Sequence, residues 1–326
     1  MGAIDSPAPL VTVVTPVYNV AKYVGETVDS VLRQTFTNFE YLVVDDGSED
    51  GSGEMASAHA REDLRFHLIQ GGHRGLSAAR NTGIRQARGK YIAYLDGDDR
   101  WHPRFLERQV ALIESLPDEV GAVFARCRMI LENGTPAFLQ RERPGRYDFD
   151  DLLVNNNPTR SGSSLLIKKS CFEDVGGFDE NLHYVEDFEC WLRIAEGAKA
   201  PVMWANKQYL VDQRLRPGQV TRDRSSSDQA ILRFLAEQTP KLKRFPAGLA
   251  YVRPAVIALK HGADDDIAEK LAASARTVGA GELARTGWGR RFLFWDTLPP
   301  AGRQLVRGAQ SSAREAVKTA NRKIRG

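Results

Sequence analysis

Two hydrophobic periods take turns along the first hundred residues. "LVTVVTPVYN" (10–19) is a β-branched run that stops at Pro16 and Asn19, which predicts a strand. "VGETVDSVLRQ" (24–34) then places Val24, Val28, Val31 and Leu32 at helical spacing. "FEYLVVDDGS" (39–48) predicts a second strand closed by a turn, and "GEMASAHARE" (53–62) a helix. "FHLIQ" (66–70) is a short third strand, followed by helical spacing in "GLSAARNTGIRQA" (75–87) with no breaker until Gly89. "KYIAYLD" (90–96) is a fourth strand, and Pro103 opens a helix in "PRFLERQVALIESL" (103–116). Strands alternating with such helices predict an α/β domain with a parallel sheet and helices on its faces.

The alternation loosens after that. "VGAVFARCRMI" (120–130) and "SSLLIKK" (163–169) predict two further strands, and "VEDFECWLRIAEGA" (185–198) an amphipathic helix with Phe188, Trp191, Leu192 and Ala195 on one side. From about residue 226 only helix signals remain: "SDQAILRFLAEQ" (227–238), "PAVIALKHG" (254–262) and "DDDIAEKLAASART" (264–277). The expected organisation is one α/β domain over 1–225 and a helical region over 226–326.

Composition excludes several function classes. At 326 residues the chain has ample length for a sizeable core, and 42% hydrophobic with 27% charged residues is ordinary for a globular protein. No apolar run approaches the ~18 residues a membrane span requires. No basic stretch followed by an apolar core opens the sequence, so a secretory signal is not expected and the expected location is cytoplasmic. Cys127, Cys171 and Cys190 are scattered and odd in number, which predicts reduced thiols rather than disulfides or a zinc site. Net charge is +3, but residues 300–326 carry +6 of it, leaving −3 for the rest. Beside that basic tail, "GWGRRFLFWDTL" (287–298) sets Trp288, Phe292, Phe294 and Trp295 next to Arg290 and Arg291. Such a segment suits either peripheral contact with the inner face of a membrane or packing on the catalytic domain or a second subunit. No nucleic-acid partner is expected.

The candidate chemistry lies at the strand ends, where open parallel sheets bind their ligands. The first predicted strand ends in Pro16, Tyr18 and Asn19; the second in Asp45, Asp46, Gly47 and Ser48; the fourth in Asp96, Asp98 and Asp99. Five carboxylates on one rim repel a bare phosphate but suit a divalent cation that then accepts a diphosphate. There is no GxGxxG after the first strand and no GxxxxGK[ST], so a glycine-rich phosphate cradle is not expected. Asp96-Gly97-Asp98 fits the cation role, with Gly97 expected to permit a bend that aims both carboxylates together. Taken singly, "DGDD" and "DDGS" are equally well polar turns with helix caps.

"VTVVTPVYN", "VVDDGSEDGS", "GLSAARNTGI", "GKYIAYLDGDD" and "VGGFDENLHYVEDFECWLR", in this order and spacing, resemble the pattern of family 2 glycosyltransferases with the GT-A fold, over roughly residues 10–220. The resemblance implies an inverting, non-processive enzyme with a nucleotide-sugar donor, UDP foremost, and a glycan or lipid-linked hydroxyl acceptor. It places donor binding at about 10–100 and acceptor binding at about 101–225. It implies that Pro16, Tyr18 and Asp46 hold base and ribose, that Asp98 ligates Mn²⁺ or Mg²⁺, and that Asp96 meets ribose or metal-bound water. It implies Asp187 as general base, with Glu186 orienting the acceptor and Asp99 supporting the loop. Arg74 is the basic candidate at the third loop, and Arg80 is expected to be structural.

Alone, Asp187 would read better as a helix cap than as a base, and the "GGFDENL" context upstream turns the reading toward catalysis. Trp191 and Trp204 are expected in the core rather than as sugar platforms. Processive members carry QxxRW and membrane helices; here "VDQRLRPGQVTRD" (211–223) has no Trp, and Arg214 and Arg216 are expected on a loop, either reaching the diphosphate or solvated. The alternatives are a Mg²⁺-dependent phosphoryl-transfer enzyme, which also gathers strand-end aspartates, and a non-catalytic transferase-like scaffold.

Overall fold

The computed structural model describes residues 8–140, 143–148, 152, 159, 161–182, 186–196, 202–216, 272, 273 and 276. The chain divides into two compact units, Met1–Asp223 and Arg224–Gly326. The helical segments expected beyond 226, the aromatic stretch 287–298 and the basic tail lie outside the described residues, those last three positions apart.

The first unit is built on one mixed sheet. β1 (Val11–Val17), β2 (Phe39–Asp45) and β4 (Tyr91–Tyr94) are buried along their whole length, as strands covered on both faces must be. β3 (Phe66–Gln70) lies at one edge. These four pair in parallel in the order β3-β2-β1-β4. The remaining strands are β5 (Arg100–Trp101), β6 (Val120–Leu131), β7 (Pro136–Leu139), β8 (Gly145–Tyr147), β9 (Leu165–Lys168) and β10 (Val202–Leu215). The order continues β4-β9-β6-β10-β5, with β9 antiparallel to both neighbours and β6 parallel to β10. The expected α/β class with a parallel core is therefore present, flanked by a half in which directions mix.

α1 (Ala21–Leu32) buries Tyr23, Val24, Val28 and Val31, three positions of the predicted stripe plus one aromatic ring, while Leu32 is only partly buried. Each such fully buried aliphatic side chain stabilises the fold by roughly 1.5–3 kcal/mol. α2 (Ser52–Ala60) packs on α1, and α3 (Leu76–Gln86) lies on β1 and β2. Gly83 is what allows α3 so close, because a Cβ there would overlap the Val14 side chain on β1. α4 (Phe105–Ser115) starts two residues past Pro103, and Phe105 stacks on Trp101 with ring centroids 4.1 Å apart. α5 (Lys169–Val175) and α6 (Glu186–Glu196) follow β9. Trp191 is fully buried in α6, and Trp204 packs partly buried against the core.

β10 departs from expectation. "VDQRL" (211–215) is the end of a 14-residue strand rather than a loop, and its backbone pairs with β6 through Leu215. Its charges are paired across the sheet: Asp212 accepts from Arg100 Nε at 3.0 Å and from Arg128 Nε at 2.6 Å. That neutralisation lets a run of ionic residues sit in a ladder. Cys127, Cys171 and Cys190 are free and buried. Among the described residues, no helix is long and apolar enough to cross a membrane.

Candidate active site

Three loops meet past the carboxyl ends of β1, β2 and β3. Asn19 links the first two: its N–H donates to Ser48 Oγ at 3.1 Å, and its Oδ1 accepts from the Glu49 N–H at 3.0 Å. Its left-handed backbone, φ 51°, is a conformation Asn tolerates. Asp46 ties in the third loop. Its Oδ1 accepts from the Arg74 N–H at 2.9 Å and its Oδ2 from the Gly75 N–H at 2.6 Å. Asp46 is thus a buried clamp on backbone amides in this structure. Gly71 fits beneath because a Cβ would come within 2.9 Å of the Asp45 carbonyl oxygen.

Pro16 is buried in β1, paired with Val44. Tyr18 stands 46% exposed at the mouth of these loops, its ring 4.7 Å from that of His73. The Arg74 guanidinium turns outward and pairs with Glu180.

The acidic loop after β4 is held from all sides. Thr27 Oγ1 on α1 donates to the carbonyls of Gly97 and Asp99 at 3.0 and 2.7 Å. Ser163 Oγ accepts from the Asp96 N–H at 3.0 Å and donates to Asp99 Oδ2 at 2.7 Å. The Arg214 N–H donates to Asp99 Oδ1 at 2.8 Å and its Nε to the Asp98 carbonyl at 3.0 Å. Gly97 is required by close approach rather than by a bend: a Cβ would sit 3.2 Å from the Pro16 carbonyl oxygen, and its φ is not positive.

The two carboxylates flanking Gly97 are aimed at different cations, which corrects the expectation that they point together. Asp96 Oδ1 accepts from Arg80 Nη2 at 3.0 Å, and Asp98 Oδ2 accepts from Arg216 Nε at 2.6 Å. Burial, then the charges of Asp98 and Asp96, push the Asp99 carboxyl well above the ordinary carboxylate range, despite its two hydrogen bonds. Burial also raises Asp98, with Asp96 adding to the shift and Arg216 opposing it. Asp96, Asp98 and Asp99 thus crowd three carboxylates into four residues, and their oxygens are hard donors. Both properties fit a hard divalent cation.

Arg80 carries more than its expected structural part. It is buried, lies over the rings of Tyr94 and Phe178, and donates from Nη1 to Glu186 Oε1 at 2.7 Å while its Nη2 holds Asp96. Burial raises the Glu186 carboxyl, Arg80 opposes that, and the charge of Asp187 reinforces it. Asp187 is half-buried in the first turn of α6, with its Oδ1 accepting from the Phe188 N–H at 2.7 Å. The positive end of the helix stabilises negative charge there. One guanidinium thus brings Asp96 together with Glu186, next to Asp187 in α6.

Sequence reasoning missed Ser163 and the two β10 arginines as supports of the acidic loop, and undervalued Arg80. Nothing in "SGSS" marks Ser163; the arginines were legible only as charges near a motif.

Comparison with known proteins bears on the family and the fold. The model of glycosyl transferase family 2 matches residues 12–176. An uncharacterized glycosyltransferase of Rickettsia typhi is 29% identical over 218 residues, which cover 66% of this chain and 66% of that protein's length. S. aureus TarS, solved as residues 1–349 in complex with UDP-GlcNAc, superposes with a TM-score of 0.64 at 16% identity, covering 94% of this chain and 92% of that one. The mannosyltransferase PcManGT from Pyrobaculum calidifontis, in complex with GDP-Man and Mn²⁺, gives 0.60 at 20% identity, covering 96% and 83%. The fold is accordingly the α/β GT-A type, as the motifs implied.

Proposed function

The chain belongs to glycosyl transferase family 2, and from that premise we propose that it moves a sugar from a nucleoside-diphosphate donor to an acceptor hydroxyl, with inversion at the anomeric carbon. The observation that carries this reading is the Arg80 bridge, which brings Asp96, on the proposed donor side, together with Glu186 on α6. An inverting displacement needs leaving-group stabilisation and a proton acceptor on opposite faces of one anomeric carbon, and the bridge supports this by tying the loop after β4 to α6, which carries Asp187.

On the donor side, Tyr18 and His73 offer a ring pair for a base, and the buried Pro16 and Asp46 stand at the ends of β1 and β2. UDP-sugars are the foremost donors, and the UDP-GlcNAc complex of TarS supports a sugar nucleotide in this fold; GDP-Man in PcManGT keeps GDP-sugars as a tested alternative. Arg74 is placed to meet the nucleotide once it leaves Glu180. Asp98 is the proposed anchor for Mn²⁺ or Mg²⁺, which when bound supplies Lewis-acid neutralisation of the departing diphosphate. Among the described residues no group of three or more His, Cys, Asp or Glu side chains forms a cage, so the donor's phosphates would have to complete the ligand set. Mn²⁺ in PcManGT supports the choice of ion.

On the acceptor side, Asp187 takes the proton of the attacking hydroxyl and Glu186, fixed by Arg80, orients it. A carboxylate is a sufficient base here, because proton transfer can follow bond formation in an oxocarbenium-like displacement. Positioning then supplies the rest of the acceleration. The acceptor class we propose is a glycan or lipid-linked hydroxyl.

A thermal-shift screen of nucleotide sugars with Mn²⁺, followed by a donor-hydrolysis assay without acceptor, tests the reading, since a ligand of the native state raises apparent stability. Stabilisation by at least one nucleotide sugar and its metal-dependent turnover are expected. No stabilisation and no turnover by any donor would sink it.

A further inference from the structure

Two arginines stand at the end of β10 and the fold treats them differently. Arg214 is locked, only 2% exposed, with its Nη1 on the Glu132 carbonyl at 2.7 Å, its Nη2 on Glu26 at 2.8 Å and the Tyr23 ring 5.1 Å away. None of the atoms it holds is a proposed cation ligand. Arg216 is different. Its side chain is 26% exposed, the Tyr23 ring lies 5.9 Å off, and its Nε donates at 2.6 Å to Oδ2 of Asp98. It therefore occupies an oxygen of the carboxylate assigned above to the divalent cation.

A guanidinium and a divalent ion on one carboxylate repel each other at close range, so the two arrangements compete. Arg216 is 26% exposed and lies one residue past β10, where a guanidinium exchanges more readily than the 2%-exposed Arg214 does within the strand. We propose that Arg216 is an internal counter-cation that holds Asp98 until a divalent ion replaces it, so that loading the site and releasing Arg216 form one exchange. This rests on the reading of Asp98 as the cation's anchor. The released guanidinium remains beside the arriving diphosphate, where its charge is favourable. Arg216 thus opposes the cation alone and favours the cation together with a diphosphate.

Titration of the whole chain with Mn²⁺, with free ion followed by electron paramagnetic resonance at constant ionic strength, tests the exchange. Arg216→Gln is expected to bind Mn²⁺ on the order of tenfold more tightly than the wild type, the worth of one hydrogen bond between charged groups. Inorganic pyrophosphate should shrink or reverse that gain. Arg104→Gln removes a surface charge elsewhere and should leave the affinity unchanged. Equal or weaker binding by Arg216→Gln, an equal gain in Arg104→Gln, or a gain indifferent to pyrophosphate would each overturn the proposal. Arg216→Lys keeps a cation on a different reach, should fall between, and serves the same test if Arg216→Gln does not fold. Asp98→Asn separates the two readings: if it binds Mn²⁺ as the wild type does, the anchor assignment falls, whatever Arg216 does.

Discussion

Asp96, in the loop after β4, and Glu186, at the start of α6, accept hydrogen bonds from the two terminal nitrogens of one buried arginine, Arg80, at 3.0 and 2.7 Å. Neither carboxylate is adequately neutralised without it. Removing one partner of a buried ion pair leaves uncompensated charge. Arg80→Met is therefore expected to cost about 3 kcal/mol of stability in urea unfolding. Arg80→Lys should lose less, because it retains the charge but not the two-pronged geometry. A loss below half a unit for Arg80→Met would show that solvent already screens the pair.

The roles proposed at α6 separate in kinetics. Asp187→Asn is expected to lower turnover by roughly 10²–10⁴-fold, the usual worth of a general base, with donor affinity unchanged. Turnover assays and calorimetry on the same preparation decide it. Parallel losses in both would make Asp187 a structural cap of the helix.

Asp212 gives a signed pH prediction. Its burial would raise its pKa, but hydrogen bonds from Arg128 and Arg100 outweigh that and hold the carboxyl below its ordinary range. A group depressed in this way contributes stability that is fully present above its unfolded value, about 3.9, and is lost as pH falls through the folded value. Asp212→Asn should thus be less stable than the wild type at neutral pH, with the gap closing in acid below about pH 4. Urea midpoints across that range measure it. A gap independent of pH would assign the loss to packing instead.

The α3–β1 contact predicts a reversal of the usual helix rule. An exposed glycine in a helix gains up to about 1 kcal/mol on conversion to alanine. Gly83→Ala would instead force a methyl into Val14, and overpacking should cost about 1–3 kcal/mol. Val14→Ala in the same chain should recover part of that loss in thermal melts, which a purely conformational effect would not allow.

Much of the first hundred residues was legible because their information is local. β1, β2 and β4 are continuous apolar runs that stop at Asn, Gly and Asp, and α1 shows its buried stripe in the spacing of its valines. Loops at the ends of parallel strands then gather Tyr18, Asp46, Asp96 and Asp98 on one rim by topology alone. The family pattern, carried by five short motifs, needed no more than their order.

What the tertiary structure decided was the partner of each charge. "VDQRL" has the local signature of a solvated loop, yet it forms the end of β10 because Arg100 and Arg128 meet Asp212 across the sheet. Asp96 and Asp98 look like twins in sequence, but one turns to Arg80 and the other to Arg216. Hydrophobic periodicity records which face of an element is buried. An ion pair between residues 16, 84 or 118 positions apart leaves no period behind, so only the folded chain says which carboxylate belongs to which arginine.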